Sequence, residues 1–115
     1  MIRKNEEFKP DLRENMRGGD GTVEVTNLVS DKDLNDKGRL FGTIVLKPGC
    51  GIGYHIHEND TELFYVLEGK ATYSDNGEIK EIAKGDLAIC PAGTGHSVKN
   101  DSDENVVLMA LIVYA

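Results

Sequence analysis

The stretch Gly49-Cys-Gly-Ile-Gly-Tyr-His55-Ile-His57-Glu-Asn-Asp-Thr-Glu62 carries two of the chain's three histidines, one residue apart, with a glutamate five positions after the second. Side chains on an extended strand alternate between faces, so His55 and His57 project the same way, about 7 Å apart along the strand. That is the geometry of a metal pincer. The third histidine, His96, lies in a second glycine- and proline-punctuated stretch, Gly85-Asp-Leu-Ala-Ile-Cys-Pro91-Ala-Gly93-Thr-Gly-His96-Ser-Val-Lys-Asn100. The expectation is that the fold carries His96 to the other three. Three neutral imidazoles and one carboxylate form a mixed nitrogen and oxygen donor set suited to a divalent first-row transition ion. An octahedral ion so held keeps two or so positions open for water, dioxygen or a bidentate substrate.

Around these stretches the chain reads as short strands. Thr22 to Val29 alternates and is β-branched, and Leu40 to Lys47 is a second strand stopped by Pro48-Gly49. Between them, the charged stretch Ser30 to Gly38 makes a loop or helical turn. The glycines at 49, 51 and 53 allow the bend or bulge that an approach to His55 needs. Glu62 to Glu68 and Lys70 to Ser74 are strands with a sharp turn at Gly69, and Asp75-Asn76-Gly77 is a hairpin signal because Asn-Gly tolerates the positive φ angles of a type I′ turn. Glu78 to Ala83, Leu87 to Cys90, His96 to Lys99 and Val106 to Tyr114 complete the set. Many short strands broken by Gly, Pro, Asn and Asp indicate an antiparallel sandwich or barrel, with a jelly roll as the natural form.

One strand is apolar on both faces. Glu62, Phe64 and Val66 share one side, and Leu63, Tyr65 and Leu67 share the other. An antiparallel strand of this kind must be covered on its outer side too. A homodimer packed sheet to sheet is expected, with cover by the N-terminal arm as the alternative.

The two stretches together resemble the motifs of the cupin superfamily. The first reads G-x5-H-x-H-x4-E-x6-G, filled by Gly49, His55, His57, Glu62 and Gly69. The second reads G-x5-P-x-G-x2-H-x3-N, filled by Gly85, Pro91, Gly93, His96 and Asn100, and 15 residues, Lys70 to Lys84, separate the two. The resemblance implies an all-β double-stranded β-helix, a jelly-roll barrel, with one divalent transition metal per chain inside it on His55, His57, Glu62 and His96. The metals found in the superfamily include Mn, Fe, Ni, Co, Cu and Zn, and the sequence does not choose among them. Gly49, Gly69, Gly85, Pro91, Gly93 and Asn100 are expected to shape turns rather than touch the ion. Phe64 shares a face with Glu62 and Val98 shares one with His96, so both are candidate pocket-lining side chains. A place in the core is the alternative for Phe64, and a place in the barrel wall for Val98. Cys50 and Cys90 read as inert thiols, and Asp60, Glu78 and Glu81 as solvated charge.

Length and charge bound the rest. At 115 residues the chain fits one domain, divided here into an N-terminal arm, residues 1–21, and a barrel, residues 22–115. The arm is polar, with a short helical turn expected near Asp11 to Met16, and it serves either as a solvated tail or as a strap on a partner subunit. Its first residues are charged with no apolar segment behind them, and the two cysteines have no CxxC spacing, which reads as a reduced cytoplasmic protein. The longest apolar run, Val106 to Ala115, is about half a membrane span, so no membrane partner is expected. A net charge of −7, from 20 acidic and 13 basic residues without a basic cluster, excludes the phosphate neutralisation on which sequence-independent nucleic-acid binding rests.

The functional expectation is a metalloenzyme acting on a small organic molecule, of dioxygenase, decarboxylase, isomerase or lyase type. The alternative is a non-catalytic cupin that binds or senses a small-molecule ligand. Lys and Arg are scarce within the expected strands, with Arg39 and Lys47 only at strand ends. The substrate is therefore expected to be neutral or weakly anionic.

Overall fold

The computed structural model describes all 115 residues as ten strands and three single 3-10 turns. The strands are β1 (Asp11–Glu14), β2 (Thr22–Asn27), β3 (Gly38–Leu46), β4 (Gly51–Ile56), β5 (Asp60–Glu68), β6 (Lys70–Asp75), β7 (Glu78–Ala83), β8 (Leu87–Cys90), β9 (Gly95–Lys99) and β10 (Val106–Tyr114). They form a six-stranded sheet in the order β1-β2-β3-β10-β5-β8 and a four-stranded sheet in the order β4-β9-β6-β7. Every strand pairing is antiparallel. This is the double-stranded β-helix expected from the sequence. No helix is long and apolar enough to cross a membrane.

Alternation decides which side chains meet between the sheets. On β5 the buried series is Glu62, Phe64 and Val66, and on β10 it is Val106, Leu108, Ala110 and Ile112. The four-stranded sheet answers with Ile52, Ala71, Tyr73, Ile82 and Val98. The core is thus apolar along most of its length, and the ionisable residues of the motif sit at one end of it.

Turn chemistry closes the barrel as expected. Asp75 pairs with Glu78 across a two-residue loop in which Asn76 has φ 52° and Gly77 φ 98°, the backbone of a type I′ turn. Gly69, at φ 81°, marks a corner between sheets, because β5 and β6 belong to different ones. Asn100 is fully buried and staples the loop ahead of β10: its Nδ2 donates to Leu46 O at 2.8 Å and Glu104 O at 2.6 Å, and its Oδ1 accepts from Ser102 N at 2.9 Å. It shapes the barrel end and stands outside the donor cluster.

The N-terminal residues differ from expectation. Asp11 to Glu14 form a strand in place of a helical turn, pairing with β2 from Asp11 opposite Val25 to Glu14 opposite Thr22. Four residues cannot nucleate a stable helix in isolation, whereas the open edge of β2 offers ready backbone partners. A 3-10 turn at Met16–Gly18 then runs beside β4.

Candidate metal centre

His55 and His96 are direct cross-strand partners on β4 and β9. The register slips by one residue between Ile52 and His55, so a bulge at Gly53 and Tyr54 re-aims the histidine strand. His57 follows the end of β4, where its N–H donates to Thr94 O at 2.9 Å and its carbonyl accepts from Gly93 N at 2.6 Å. Glu62 reaches in from β5, paired on one side with Cys90 and on the other with Ile112. The four-stranded sheet thus supplies His55 and His96, the residue just beyond β4 supplies His57, and the six-stranded sheet supplies Glu62, while the β8–β9 loop fixes the His57 backbone.

The four side chains converge, with one ligand atom from each lying within 4.8 Å of the others. The imidazole centroids form a near-equilateral triangle with sides of 4.9, 4.8 and 4.9 Å. His57 Nε2, His96 Nε2 and Glu62 Oε1 are mutually 3.1 Å apart. Donors at about 2.1 Å from one ion and at right angles to each other are about 3 Å apart, so these three already have the spacing of neighbouring ligands. His57, Glu62 and His96 are buried and His55 is half-buried.

The tautomers also fit a cation. His55 Nδ1 faces Gly53 O at 2.8 Å and His57 Nδ1 faces Asp60 Oδ1 at 2.6 Å. A carbonyl and a carboxylate only accept, so both Nδ1 atoms carry the proton and, in the neutral rings, both Nε2 lone pairs are free. The third ring has Tyr73 Oη at 2.8 Å from His96 Nδ1. Lone pairs and a carboxylate oxygen pointing at one another need a positive charge between them. Accordingly, hydrogen bonding to Glu62, opposed by burial and helped by Asp60, raises the His57 pKa, since the imidazolium can place a proton there. Burial pushes Glu62 up, but hydrogen bonds from His57 and His96 outweigh it and hold the carboxyl below its ordinary value. Burial holds His55 below the usual histidine value, so this ring is neutral and ready to donate its lone pair.

Two sequence expectations need correction here. Asp60 is not solvated charge: it is 9% exposed, accepts from His57 Nδ1 and lies 3.1 Å from Arg39 Nε. It turns inward because His57 and Arg39 both face it. The scarcity of Lys and Arg within the expected strands also does not carry over to the cavity. Arg13, Arg17 and Arg39 all line the cavity that ends at His55, His57 and Glu62, and Asn27 joins them. Arg39 is at a strand end, as read, but that end is the barrel mouth. Arg13 and Arg17 arrive from the N-terminal residues, roughly forty positions upstream of the histidines, and no local pattern announced them.

Phe64 and Val98, each 1% exposed, belong to the apolar core and are not among the side chains lining the cavity. Phe64 still bears on the site, since its ring stacks on His96 at 5.1 Å and 16°. Cys50 and Cys90 are free thiols, and burial pushes the Cys90 thiol up, away from the reactive thiolate. Glu78 and Glu81 are exposed.

Comparison with known proteins agrees with this construction. Residues 42–114 match the family model described as the cupin domain. A curated Thermotoga maritima protein named "Oxalate-binding protein" is 35% identical over 113 residues, covering 98% of this chain and 93% of that protein. A crystal structure described as a predicted oxalate decarboxylase from the same organism superposes with a TM-score of 0.95 at 35% identity, covering all of both chains. Quercetin 2,3-dioxygenase from Bacillus subtilis is 38% identical over 67 residues, 56% of this chain but 20% of the enzyme. With the barrel topology, the donor cluster and the family match in agreement, this chain belongs to the cupin family.

Proposed function

We propose that the chain holds one divalent first-row transition ion on His55, His57, Glu62 and His96 and uses it to bind a small carboxylate of oxalate size. The observation that carries this reading is the meeting of three of the cluster's four donors, His55, His57 and Glu62, with three arginines in one cavity of about 140 Å³. Pockets for drug-sized ligands run to roughly 300–1,000 Å³. A polycyclic molecule such as quercetin would not be enclosed, whereas a two- to four-carbon acid would. The name of the 35%-identical Thermotoga maritima relative points the same way. When bound, the ion supplies Lewis acidity and open positions for two ligand oxygens. The chain's own residues orient the donors, through Asp60, Gly53 O and Tyr73, and surround the ligand with guanidinium donors.

Binding is favoured over catalysis by what the cavity lacks. A reaction that makes or breaks a C–H bond needs a side chain able to give or take a proton near neutral pH. The titratable lining groups are the arginines, which stay protonated, and the donors His55, His57 and Glu62 themselves. Calorimetric titration of Mn²⁺-loaded protein with oxalate is expected to show sub-millimolar binding that disappears in the metal-free protein, with no formate, carbon dioxide or oxygen uptake. Steady turnover of oxalate would replace the binding reading with an enzymatic one, and absence of binding to the loaded protein would remove both.

The outer face of the six-stranded sheet supports a homodimer. Phe41, Tyr65, Leu87 and Ile89 are 38%, 46%, 53% and 48% exposed on it, and Leu63 and Leu111 are half-buried among them. The N-terminal strand lies at the β2 edge, away from β5 and β8, so the chain does not cover this face itself. A contiguous apolar face of this kind calls for a partner surface of the same character. Light scattering at micromolar concentration is expected to give twice the 12.6 kDa chain mass, falling to one chain mass in Ile89→Asp. A wild-type monomer would contradict it.

A further inference from the structure

We propose that the N-terminal segment carrying Arg13 and Arg17 is a charge selector, restricting the site to small dianions and discriminating against monoanions of the same shape. This rests on the reading of the site as a metal-dependent carboxylate binder and adds which residues set its ligand charge.

The cavity is built from two sources. Its floor is the donor cluster of the barrel, and part of its mouth is Arg13, Met16 and Arg17, from residues that precede the barrel strands. Their seat is made by backbone packing. A Cβ added at Gly53 would collide with the carbonyl oxygen of Arg17, and one added at Gly19 would collide with the carbonyl of Gly51. Gly51 N donates to Asp20 O at 2.9 Å, Asn15 Nδ2 to Gly19 O at 3.1 Å, and Lys99 Nζ lies 3.0 Å from Asp20 Oδ2. The segment is thereby locked onto β4, the strand that delivers His55 and leads into His57.

The lock holds a backbone that ordinary residues avoid. Arg17 has φ 54° and ψ 28°, and Asn15 φ 48° and ψ 44°. Asn tolerates this left-handed region, but an arginine there is under strain that persists only where the surroundings impose it. A residue kept in an unfavourable conformation at the rim of a ligand cavity is the observation that calls for a functional role. Here the consequence is visible, because Arg17 is among the residues that line the cavity.

Charge complementarity names the ligand. Arg13 Nε pairs with Asp11 Oδ2 at 2.8 Å and Arg39 Nε with Asp60 Oδ2 at 3.1 Å, so two of the three guanidiniums arrive already neutralised. In both, Nε holds the carboxylate and the forked Nη end has no side-chain partner. Arg17 has no carboxylate within ion-pair distance and brings its charge whole. A divalent ion, the single negative charge of Glu62 and the free charge of Arg17 leave the cavity with two net positive charges, which a dianion matches and a monoanion leaves half uncompensated. Forked guanidiniums suit a carboxylate in particular, offering parallel N–H donors to two oxygens.

Oxalate and oxamate separate charge from shape, since oxamate replaces one carboxylate with an amide of nearly the same size. With Mn²⁺-loaded wild-type protein, calorimetry is expected to show oxalate binding at least about tenfold more tightly than oxamate. In the Arg13→Gln/Arg17→Gln double variant, oxalate affinity should fall by about tenfold or more with oxamate nearly unchanged, so the preference collapses. Arg17→Lys should retain most of it, and manganese content should match wild type throughout. Lys84→Gln, an equal loss of charge on an exposed surface away from the cavity, should leave the preference intact. A wild-type preference that survives in the double variant, or that falls as far in Lys84→Gln, would overturn the selector while leaving metal-dependent carboxylate binding standing. Failure of loaded wild-type protein to bind either ligand would overturn both.

Discussion

His57→Ala is expected to lower affinity for a divalent transition metal by roughly 100-fold or more, the largest effect of any single substitution in the chain. Removing the ring deletes one of four donors and does further harm. It leaves Asp60 and Glu62, 9% and 5% exposed, without the group that hydrogen-bonds both of them. Glu62 then keeps only His96 and Asp60 only Arg39, so the carboxylate donor is held less firmly as well. Asp60→Asn probes the same chain one step removed. An amide in that place no longer anchors His57 Nδ1–H as strongly, and partners of this kind are worth about 10- to 100-fold in metal affinity. Competition against a chromophoric chelator measures both variants. Affinity of His57→Ala within threefold of wild type would mean that this ring is a core histidine satisfied by its carboxylates.

Phe64→Ala is expected to destabilise the fold by about 3–5 kcal/mol, the range for deleting a well-packed buried phenyl ring. Phe64 is 1% exposed, sits between Ala88 and Ala110 on the flanking strands, and meets Tyr73 edge to face at 6.3 Å as well as stacking on His96. Its small neighbours cannot collapse into the space it leaves. Denaturant unfolding should show the loss, and metal affinity should fall with it because His96 would lose the surface that fixes its ring plane. Phe64→Leu, which keeps most of the volume, should cost much less. A loss below about 1.5 kcal/mol for the alanine variant would contradict the packing described here.

How much of this could be read before the fold was known differs by residue. The alternation in β5 separated Glu62, Phe64 and Val66 from Leu63, Tyr65 and Leu67 correctly because a strand's period of two is a strict geometric rule. The Asn76-Gly77 turn and the bulge ahead of His55 were legible for the same reason, since positive φ angles and glycine runs leave a local trace. Bringing His96 beside His55 is a long-range event, and it was legible only because the two stretches together match a family pattern. Asp60 was misread because it is the first residue of β5, and its burial is decided by what that strand end folds against, here His57 and Arg39. Arg13 and Arg17 were missed for a stronger form of that reason. Their strand forms on the edge of β2 and their turn seats on β4, so their position depends on the finished barrel and on nothing within their own residues.

The claim on which the rest depends is that His55, His57, Glu62 and His96 hold one ion. Elemental analysis tests it most directly, on protein purified without a metal-affinity step or added metal. Summed over manganese, iron, cobalt, nickel, copper and zinc, the content is expected to be close to one ion per chain and to fall to background in His57→Ala. A wild-type content below about one tenth of an ion per chain, unchanged after incubation with each metal in excess and desalting, would contradict a metal centre at this site.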